Sequence, residues 1–274
     1  MRIFFILSLQ PGLLRLYDTY MVQAISNLKE SLSNIRNVIS VSSGKGGVGK
    51  STVAFHLART LVHDHGLRVG LLDADIHGPS LPVLMGDMGK PQLTGSKIQP
   101  FIKDGLKAMS IGFLVDPNSA LIWRGLMVQK AIKQLLFDVE WGDLDVLVID
   151  MPPGTGDIPL TINQWVPLAG GIVVSTSDPL SLADTIKGVQ MLKKMAIPFW
   201  GFVENMSHIT CPHCQGDISL VHASLVQEQA QKEGDPFLGS IPFDRGLRFG
   251  DEMTSPVQQA FKEITGKIIP LLRA

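Results

Sequence analysis

The sequence predicts an α/β fold, in which a mostly parallel sheet is flanked by helices on both faces. Short apolar segments with the character of buried strands occur at residues 37–43, 68–73, 106–111, 145–150, 170–176, 198–204 and 237–241. Segments with helical spacing lie between them, and this alternation indicates parallel strands joined by crossovers. Some of these strands end in a glycine-rich loop or in carboxylates, which is typical of open sheets that bind ligands at the carboxyl ends of their strands.

Composition supports one globular domain and argues against two classes of partner. Of the 274 residues 45% are hydrophobic, which is enough for a sizeable core. The formal net charge of −1 provides no global basic field for nucleic acid or an anionic membrane. We therefore expect no nucleic-acid partner, no membrane partner and a cytoplasmic location.

The amino terminus is expected to differ from the rest of the chain. The apolar run 3–9 is too short to span a bilayer, and it fits a signal peptide poorly because no clear cleavage site follows. The segment from Met21 has the pattern of a helix leading into the first strand. We predict an N-terminal extension with a lead-in helix at 1–36 and one domain at 37–274, with 85–101 as a surface excursion.

The loop after the first strand has the pattern of a phosphate-binding loop, G-x-x-x-x-G-K-[ST]. Its residues are Gly44, Lys45, Gly46, Gly47, Val48, Gly49, Lys50, Ser51 and Thr52. Glycines let backbone N–H groups surround phosphate oxygens, Lys50 adds charge there, and the Ser51 hydroxyl can bind Mg²⁺. A helix follows, so its N-terminus faces the phosphates. The alternative is a glycine-rich turn that matches by chance.

Carboxylates end two further strands. Asp73 and Asp75 follow the strand at 68–73, and Asp150 ends the strand at 145–150. Asp75 is the candidate for orienting an attacking water, with Asp73 supporting the site, and Asp150 fits a carboxylate that holds Mg²⁺ together with Ser51. Phosphoryl transfer needs mainly positioning and charge neutralisation, so this set suffices. The alternatives are a helix cap for Asp75 and a simple turn for the loop after Asp150.

Six segments together resemble the Mrp family of iron–sulfur cluster carrier ATPases. They are "SSGKGGVGKST", "DADIHGPS", "IWRGLM", "WGDLDVLVIDMPPGTGD", "VENMS" and "CPHC", which cover roughly residues 40–260. Lys45, directly after the first glycine, is similar to the second lysine of the deviant Walker A P-loop NTPases, a group that includes the nitrogenase iron protein. The segments 175–188 and 241–256 depart from the family pattern.

The resemblance implies roles for individual residues. ATP is the expected nucleotide, Lys45 would reach the nucleotide of a partner subunit, and Asn205 would read the adenine, with Pro242 and Phe243 beside the base. With Lys45, the catalytic set would be Lys50, Asp75 and Asp150. Trp123 and Arg124 lie in a family motif, but we assign them no chemistry.

Cys211 and Cys214 are the only cysteines, and they provide half of the four ligands that a zinc ion or a [4Fe–4S] cluster usually takes. A two-fold homodimer would supply four thiolates from two copies of "CPHC". Alternatively, zinc could bind the pair with two of His208, His213 and His222, the pair could be a redox dithiol, or it could be a turn with idle thiols.

The resemblance favours the dimer. It implies a slow ATP hydrolase that binds a [4Fe–4S] cluster across a homodimer and transfers it to apo iron–sulfur acceptor proteins, with scaffold proteins as a further class of partner. The rival function is a partition or site-placement ATPase that binds DNA or membrane. That rival shares the phosphate-binding loop and the aspartates but leaves "CPHC" unexplained.

Overall fold

The computed structural model describes residues 32–273 apart from 87, 116–124, 212, 215, 220–223, 245 and 250–252. Almost all of the expected extension at 1–36 therefore lies outside the described residues, as do Trp123, Arg124 and His222, and the predicted domain boundary stays a prediction.

Twelve strands and seven α-helices are present in the described part of the chain. The strands are β1 Ile35–Ser43, β2 Val69–Asp73, β3 Leu93–Thr94, β4 Lys97–Ile98, β5 Phe101–Lys103, β6 Leu106–Ser110, β7 Leu144–Asp150, β8 Gly170–Ser175, β9 Phe199–Asn205, β10 His208–Thr210, β11 Asp217–Ser219 and β12 Phe237–Ile241. The helices are α1 Lys50–His63, α2 Leu81–Met85, α3 Gly125–Phe137, α4 Asp157–Trp165, α5 Pro179–Lys194, α6 Leu225–Glu233 and α7 Ser255–Ile268.

Eight strands form the central sheet in the order β12-β9-β8-β1-β7-β2-β6-β5. All neighbours pair in parallel except β5 and β6 at one edge. Helices cover the sheet, and its central strands β2, β7 and β8 are buried at nearly every position. Continuous apolar strands are expected where both faces of a parallel sheet are covered. The predicted fold class is confirmed.

Strand register brings the predicted polar residues to one edge. Strand β7 lies between β1 and β2, with Asp150 opposite Val41 on one side and opposite Asp73 on the other. The phosphate-binding loop follows the carboxyl end of β1. Because parallel strands end at the same edge, the loop and both aspartates meet there.

Within the predicted excursion at 85–101, β3 and β4 form a small antiparallel hairpin outside the central sheet. The range is too wide, because Met85 ends α2 and Phe101 begins β5 of the central sheet. Leu93 and Thr94 are exposed on the hairpin. Its strands are two residues long, which is too short for an alternating apolar pattern to reveal them.

A buried histidine on α1 gives the first testable expectation. His56 Nε2 lies 3.2 Å from the carbonyl oxygen of Leu247, and the rings of Phe55 and Phe261 pack beside it. Burial lowers the pKa of His56 from 6.5 to about 4. Between these values the unfolded chain binds more protons than the folded one, so stability falls as the pH drops through this window.

We expect His56 to lower the free energy of unfolding by about 2 kcal/mol between pH 7 and pH 5, since one pKa unit corresponds to about 1.4 kcal/mol. Urea unfolding at both pH values checks this. Between pH 7 and pH 5, His56→Gln should lose less of its free energy of unfolding than wild type. His63→Gln changes an exposed residue on the same helix, and it should lose as much as wild type. Equal losses in wild type and His56→Gln would contradict the assignment.

Candidate functional site

A cleft of about 360 Å³ opens at the carboxyl edge of the sheet. It brings together most residues that the sequence singled out for nucleotide binding. They are Lys45, Gly46, Gly47, Gly49, Lys50, Ser51, Thr52, Asp75, Asn205, Pro242 and Phe243. Gly44 and Val48 belong to the same loop without lining the cleft, and Asp150 lies behind it. A volume of this size suits a small-molecule ligand.

Two glycines of the loop are required by close contacts. Gly49 has φ +80°, and a methyl group there would lie 2.3 Å from Asn205 Nδ2. A methyl group on Gly44 would lie 2.3 Å from backbone atoms of Asp184 and Thr185 on α5. Because glycine has no Cβ, the loop backbone can approach β9 and α5 this closely.

Lys50, which lines the cleft, forms a buried ion pair with Asp150, and the two residues are 6% and 2% exposed. Lys50 Nζ also lies 3.3 Å from Ser51 Oγ. Burial raises the pKa of Asp150, and the charge of Lys50 and hydrogen bonds from Lys50 and Ser51 oppose that rise. The group thus holds a cation, a hydroxyl and a carboxylate together, which is the donor set for phosphate and Mg²⁺. Direct or water-mediated Mg²⁺ binding by Asp150 stays a prediction.

Asp73 organises the loop that presents Asp75. Its carboxylate accepts hydrogen bonds from the N–H groups of Asp75 at 3.1 Å, Ser80 at 3.1 Å and Leu81 at 3.2 Å, and from Ser110 Oγ at 3.0 Å. Burial, and then the charge of Asp150, raise the pKa of Asp73 to about 7. Asp73, and not Asp75, therefore bonds the start of α2. Asp73 thus holds the loop that carries Asp75 against the start of α2. Its supporting role in the site stays a prediction.

Asp75 itself reaches the cleft. Its Oδ1 accepts a hydrogen bond from Gly78 N–H at 3.2 Å, and its side chain lines the cleft beside the phosphate-binding loop. A carboxylate in this position can accept a hydrogen bond from a water molecule near a bound phosphate. Its catalytic role stays a prediction.

Lys45 pairs with an aspartate that sequence reasoning missed. Lys45 Nζ lies 3.1 Å from Asp178 Oδ1, and both side chains are exposed. Asp178 also caps α5 by accepting Ser181 N–H at 2.8 Å, and this bond, followed by that of Lys45, lowers the pKa of Asp178. The available signal was local, since an aspartate directly before Pro179 is typical of a helix start. Its pairing with Lys45 could not be predicted from the sequence, because the two residues lie 133 positions apart.

Asn205 ends β9 beside the phosphate-binding loop. Its Nδ2 donates to the carbonyl oxygen of Val48 at 2.9 Å, and its side chain lines the cleft with Pro242 and Phe243. This arrangement joins β9 to the loop. Reading of an adenine by Asn205 stays a prediction.

The two cysteines lie at the turn between β10 and β11, which pair antiparallel. The N–H of Cys211 donates to the carbonyl oxygen of Gly216 at 2.9 Å. Hydrogen bonds from the N–H groups of Cys214 and His213, and from the Cys214 thiol, lower the pKa of Cys211. Both thiols are free, with Cys214 exposed and Cys211 partly exposed. They form an accessible pair of soft ligands.

Over the residues that the structure describes, no group of three His, Cys, Asp or Glu side chains is placed to hold a metal ion. His208 has partners for both ring nitrogens, because Nδ1 lies 2.9 Å from Ser207 Oγ and Nε2 lies 3.5 Å from Asp217 Oδ1. Among the described residues the two cysteines thus have no third metal ligand beside them, and metal binding by the pair stays a prediction.

The hairpin of β10 and β11 is anchored to the wall of the cleft. Ser207 bonds the carbonyl oxygen of Ile241 at 3.1 Å through both its N–H and its hydroxyl. The N–H of Phe243, a cleft residue, donates to the carbonyl oxygen of His208 at 2.7 Å. Cys211 lies three positions after His208 in the chain.

A search of the described helices for one long and apolar enough to cross a membrane found none.

Comparisons with known proteins agree on one family. A family model described as a ParA-type NUBPL iron-transfer P-loop NTPase matches residues 34–269. The mouse iron–sulfur cluster transfer protein NUBPL is 43% identical over 231 residues, which are 84% of this chain and 72% of that protein. An iron–sulfur cluster carrier protein of Pyrococcus abyssi is 41% identical over 267 residues, covering 90% of each chain.

A solved structure extends the comparison to the fold. A nucleotide-binding protein from Archaeoglobus fulgidus in complex with ADP is 37% identical, with a TM-score of 0.72 over 87% of this chain and 92% of that one.

Proposed function

This chain belongs to the ParA-type family of NUBPL iron-transfer P-loop NTPases, and on that premise we propose that it is a slow ATPase that carries iron–sulfur clusters. In this proposal a homodimer binds one [4Fe–4S] cluster between its subunits and transfers it to apo-proteins. The observation that carries it is the accessible thiol pair on a hairpin anchored to the nucleotide cleft. A cytoplasmic location, the acceptor proteins and any scaffold partner stay predictions.

The half-site argues for a dimer. A [4Fe–4S] cluster takes four protein thiolates, and each chain has two. On a two-fold axis each subunit contributes the same residues, so two copies of Cys211 and Cys214 complete the set. An exposed site between subunits also suits a cargo that must be released.

The cleft residues support ATP hydrolysis. Lys50 places a cation at the phosphates, the loop N–H groups hold their oxygens, and Asp75 orients water. Mg²⁺ bound near Ser51 and Asp150 would neutralise charge that develops on the phosphate oxygens. Lys45 is exposed beside Asp178, so it can exchange that partner for the nucleotide of a second subunit.

The rival partition-type function is less well supported. A membrane- or DNA-binding tail would present an apolar or basic face to its partner. On α7 the apolar residues Val257, Phe261 and Ile264 are buried against the core. Lys267 is held by the carbonyl oxygens of Phe237 and Leu238. The apolar face of α7 therefore packs against the core and is not presented to a partner.

Anaerobic reconstitution of the wild-type protein with iron and sulfide tests the proposal, with bound iron, bound sulfide and molecular mass read on one sample. We expect about four irons and four sulfides per dimer, because four thiolates complete one cubane cluster. Zinc bound to a monomer, or a protein without iron, would contradict it.

A further inference from the structure

A buried glutamate next to Asn205 connects three separate parts of the fold. Glu204 is only 1% exposed, at the carboxyl end of β9. One carboxylate oxygen accepts the hydroxyl of Ser177, and the other accepts Ser240 Oγ at 2.8 Å and Ser224 Oγ at 2.9 Å. Burying a carboxylate is costly unless donors surround it, and these three hydroxyls satisfy it. Neither the cleft nor the cysteine pair uses Glu204 directly.

The hydrogen bond from Ser177 connects Glu204 to the phosphate-binding loop. Ser177 is followed directly by Asp178, whose Oδ1 accepts Lys45 Nζ at 3.1 Å. If Lys45 leaves Asp178 for a nucleotide, Asp178 loses its ionic partner and keeps its hydrogen bonds with the N–H groups of Ser181 and Leu180. The segment that holds Ser177 against Glu204 therefore loses its contact with the phosphate-binding loop.

The hydrogen bond from Ser224 connects Glu204 to the cysteine hairpin. We use this name for the part of the chain formed by β10, β11 and the turn between them. Glu204 precedes Asn205, and β10 begins three residues later. On the far side of the hairpin, Ser224 bonds Glu204 and also caps α6 by accepting Gln227 N–H at 3.1 Å. The chain is thus tied to Glu204 both before and after the hairpin.

We propose that Glu204 is a positioning residue that links the Lys45–Asp178 pair, through Ser177, to the cysteine hairpin, so that ATP binding changes the accessibility of Cys211 and Cys214. The proposal rests on the proposed function, and it names the residues by which ATP would regulate cluster loading and release. The third hydroxyl, from Ser240 on β12, satisfies the same carboxylate without touching the Lys45–Asp178 pair.

The experiment measures alkylation rates of Cys211 and Cys214 by iodoacetamide in the full chain without cluster, with and without MgATP. For wild type we expect ATP to change the rates by about fivefold or more, the lower end of usual coupling between sites. In Glu204→Gln, which keeps the shape but has one acceptor oxygen fewer, we expect a ratio near one. Calorimetry should show ATP affinity within about threefold of wild type, because the cleft does not include Glu204.

Two serine variants form a matched pair and decide the question even if Glu204→Gln fails to fold. Ser177→Ala and Ser240→Ala each remove one hydroxyl from Glu204, but only Ser177 adjoins Asp178. We expect Ser177→Ala to lose the ATP effect and Ser240→Ala to keep it. Equal behaviour of the two variants, or a wild-type protein whose thiols do not respond to ATP, would overturn the proposal.

The outcome is separable from that of the proposed function. A protein that binds its cluster but shows no thiol response refutes only the role of Glu204. A protein whose thiols respond as expected but that binds no iron refutes the carrier function instead.

Discussion

Replacing Lys50 with alanine is expected to lower ATP hydrolysis by about a thousandfold or more, because preorganised charge at the reacting group is usually the largest catalytic contribution. Lys50 lines the cleft at the end of the phosphate-binding loop, and it also pairs with buried Asp150. The variant therefore loses charge at the phosphates and leaves a carboxylate without its partner. Steady-state phosphate release measures the first effect.

The loss of stability expected in Lys50→Ala needs its own control. Breaking a buried ion pair costs about 3–5 kcal/mol when one partner is left charged. Combining Lys50→Ala with Asp150→Asn removes the unpaired charge, so we expect stability in urea to recover. Hydrolysis stays lost, because both residues belong to the predicted catalytic set. A double variant no more stable than Lys50→Ala would show that the unpaired carboxylate is not the cause of the instability.

Cluster transfer connects this variant to the proposed function. If ATP gates loading or release, Lys50→Ala should transfer clusters to an apo-acceptor more slowly than wild type. Transfer at the wild-type rate would refute that coupling while leaving cluster binding untouched.

Replacing Cys211 or Cys214 with alanine is expected to reduce bound iron and sulfide to background after anaerobic reconstitution. In a homodimer one substitution removes two of the four thiolates, and the two that remain cannot complete a cubane cluster. ATP binding should be unchanged, because neither cysteine lines the cleft. Iron and sulfide assays, with absorbance of the cluster, measure the loss.

His213→Ala is the matched control for the cysteine variants, since it changes a side chain between the two thiols and keeps the backbone N–H that bonds Cys211. A cluster held by cysteines alone should survive this substitution. Loss of metal in His213→Ala together with zinc in the wild-type protein would favour a mononuclear zinc site.

Much of the nucleotide site could be predicted because its chemistry is local in sequence. The phosphate-binding loop needs glycines, Lys50 and Ser51 next to one another, since adjacent backbone N–H groups form the cradle. Asp73 and Asp150 were expected at one edge because parallel strands end there, and their register confirms this. Asp75 follows β2 by two residues and lines the cleft at the same edge. The short strands β3, β4, β5, β10 and β11 were missed, because two or three residues are too few to show a periodic apolar pattern.

The sequence by itself determined the fold class, the phosphate-binding loop and a closely spaced pair of cysteines, because each depends on neighbouring residues or on a repeated apolar pattern. Only the tertiary structure decided that Asp73 bonds the start of α2, that Lys45 meets Asp178, and that Glu204 joins Ser177, Ser224 and Ser240. These contacts join residues far apart in the chain, and they depend on strand order and register. An apolar pattern shows that a strand is buried, but it leaves open which strand lies beside it.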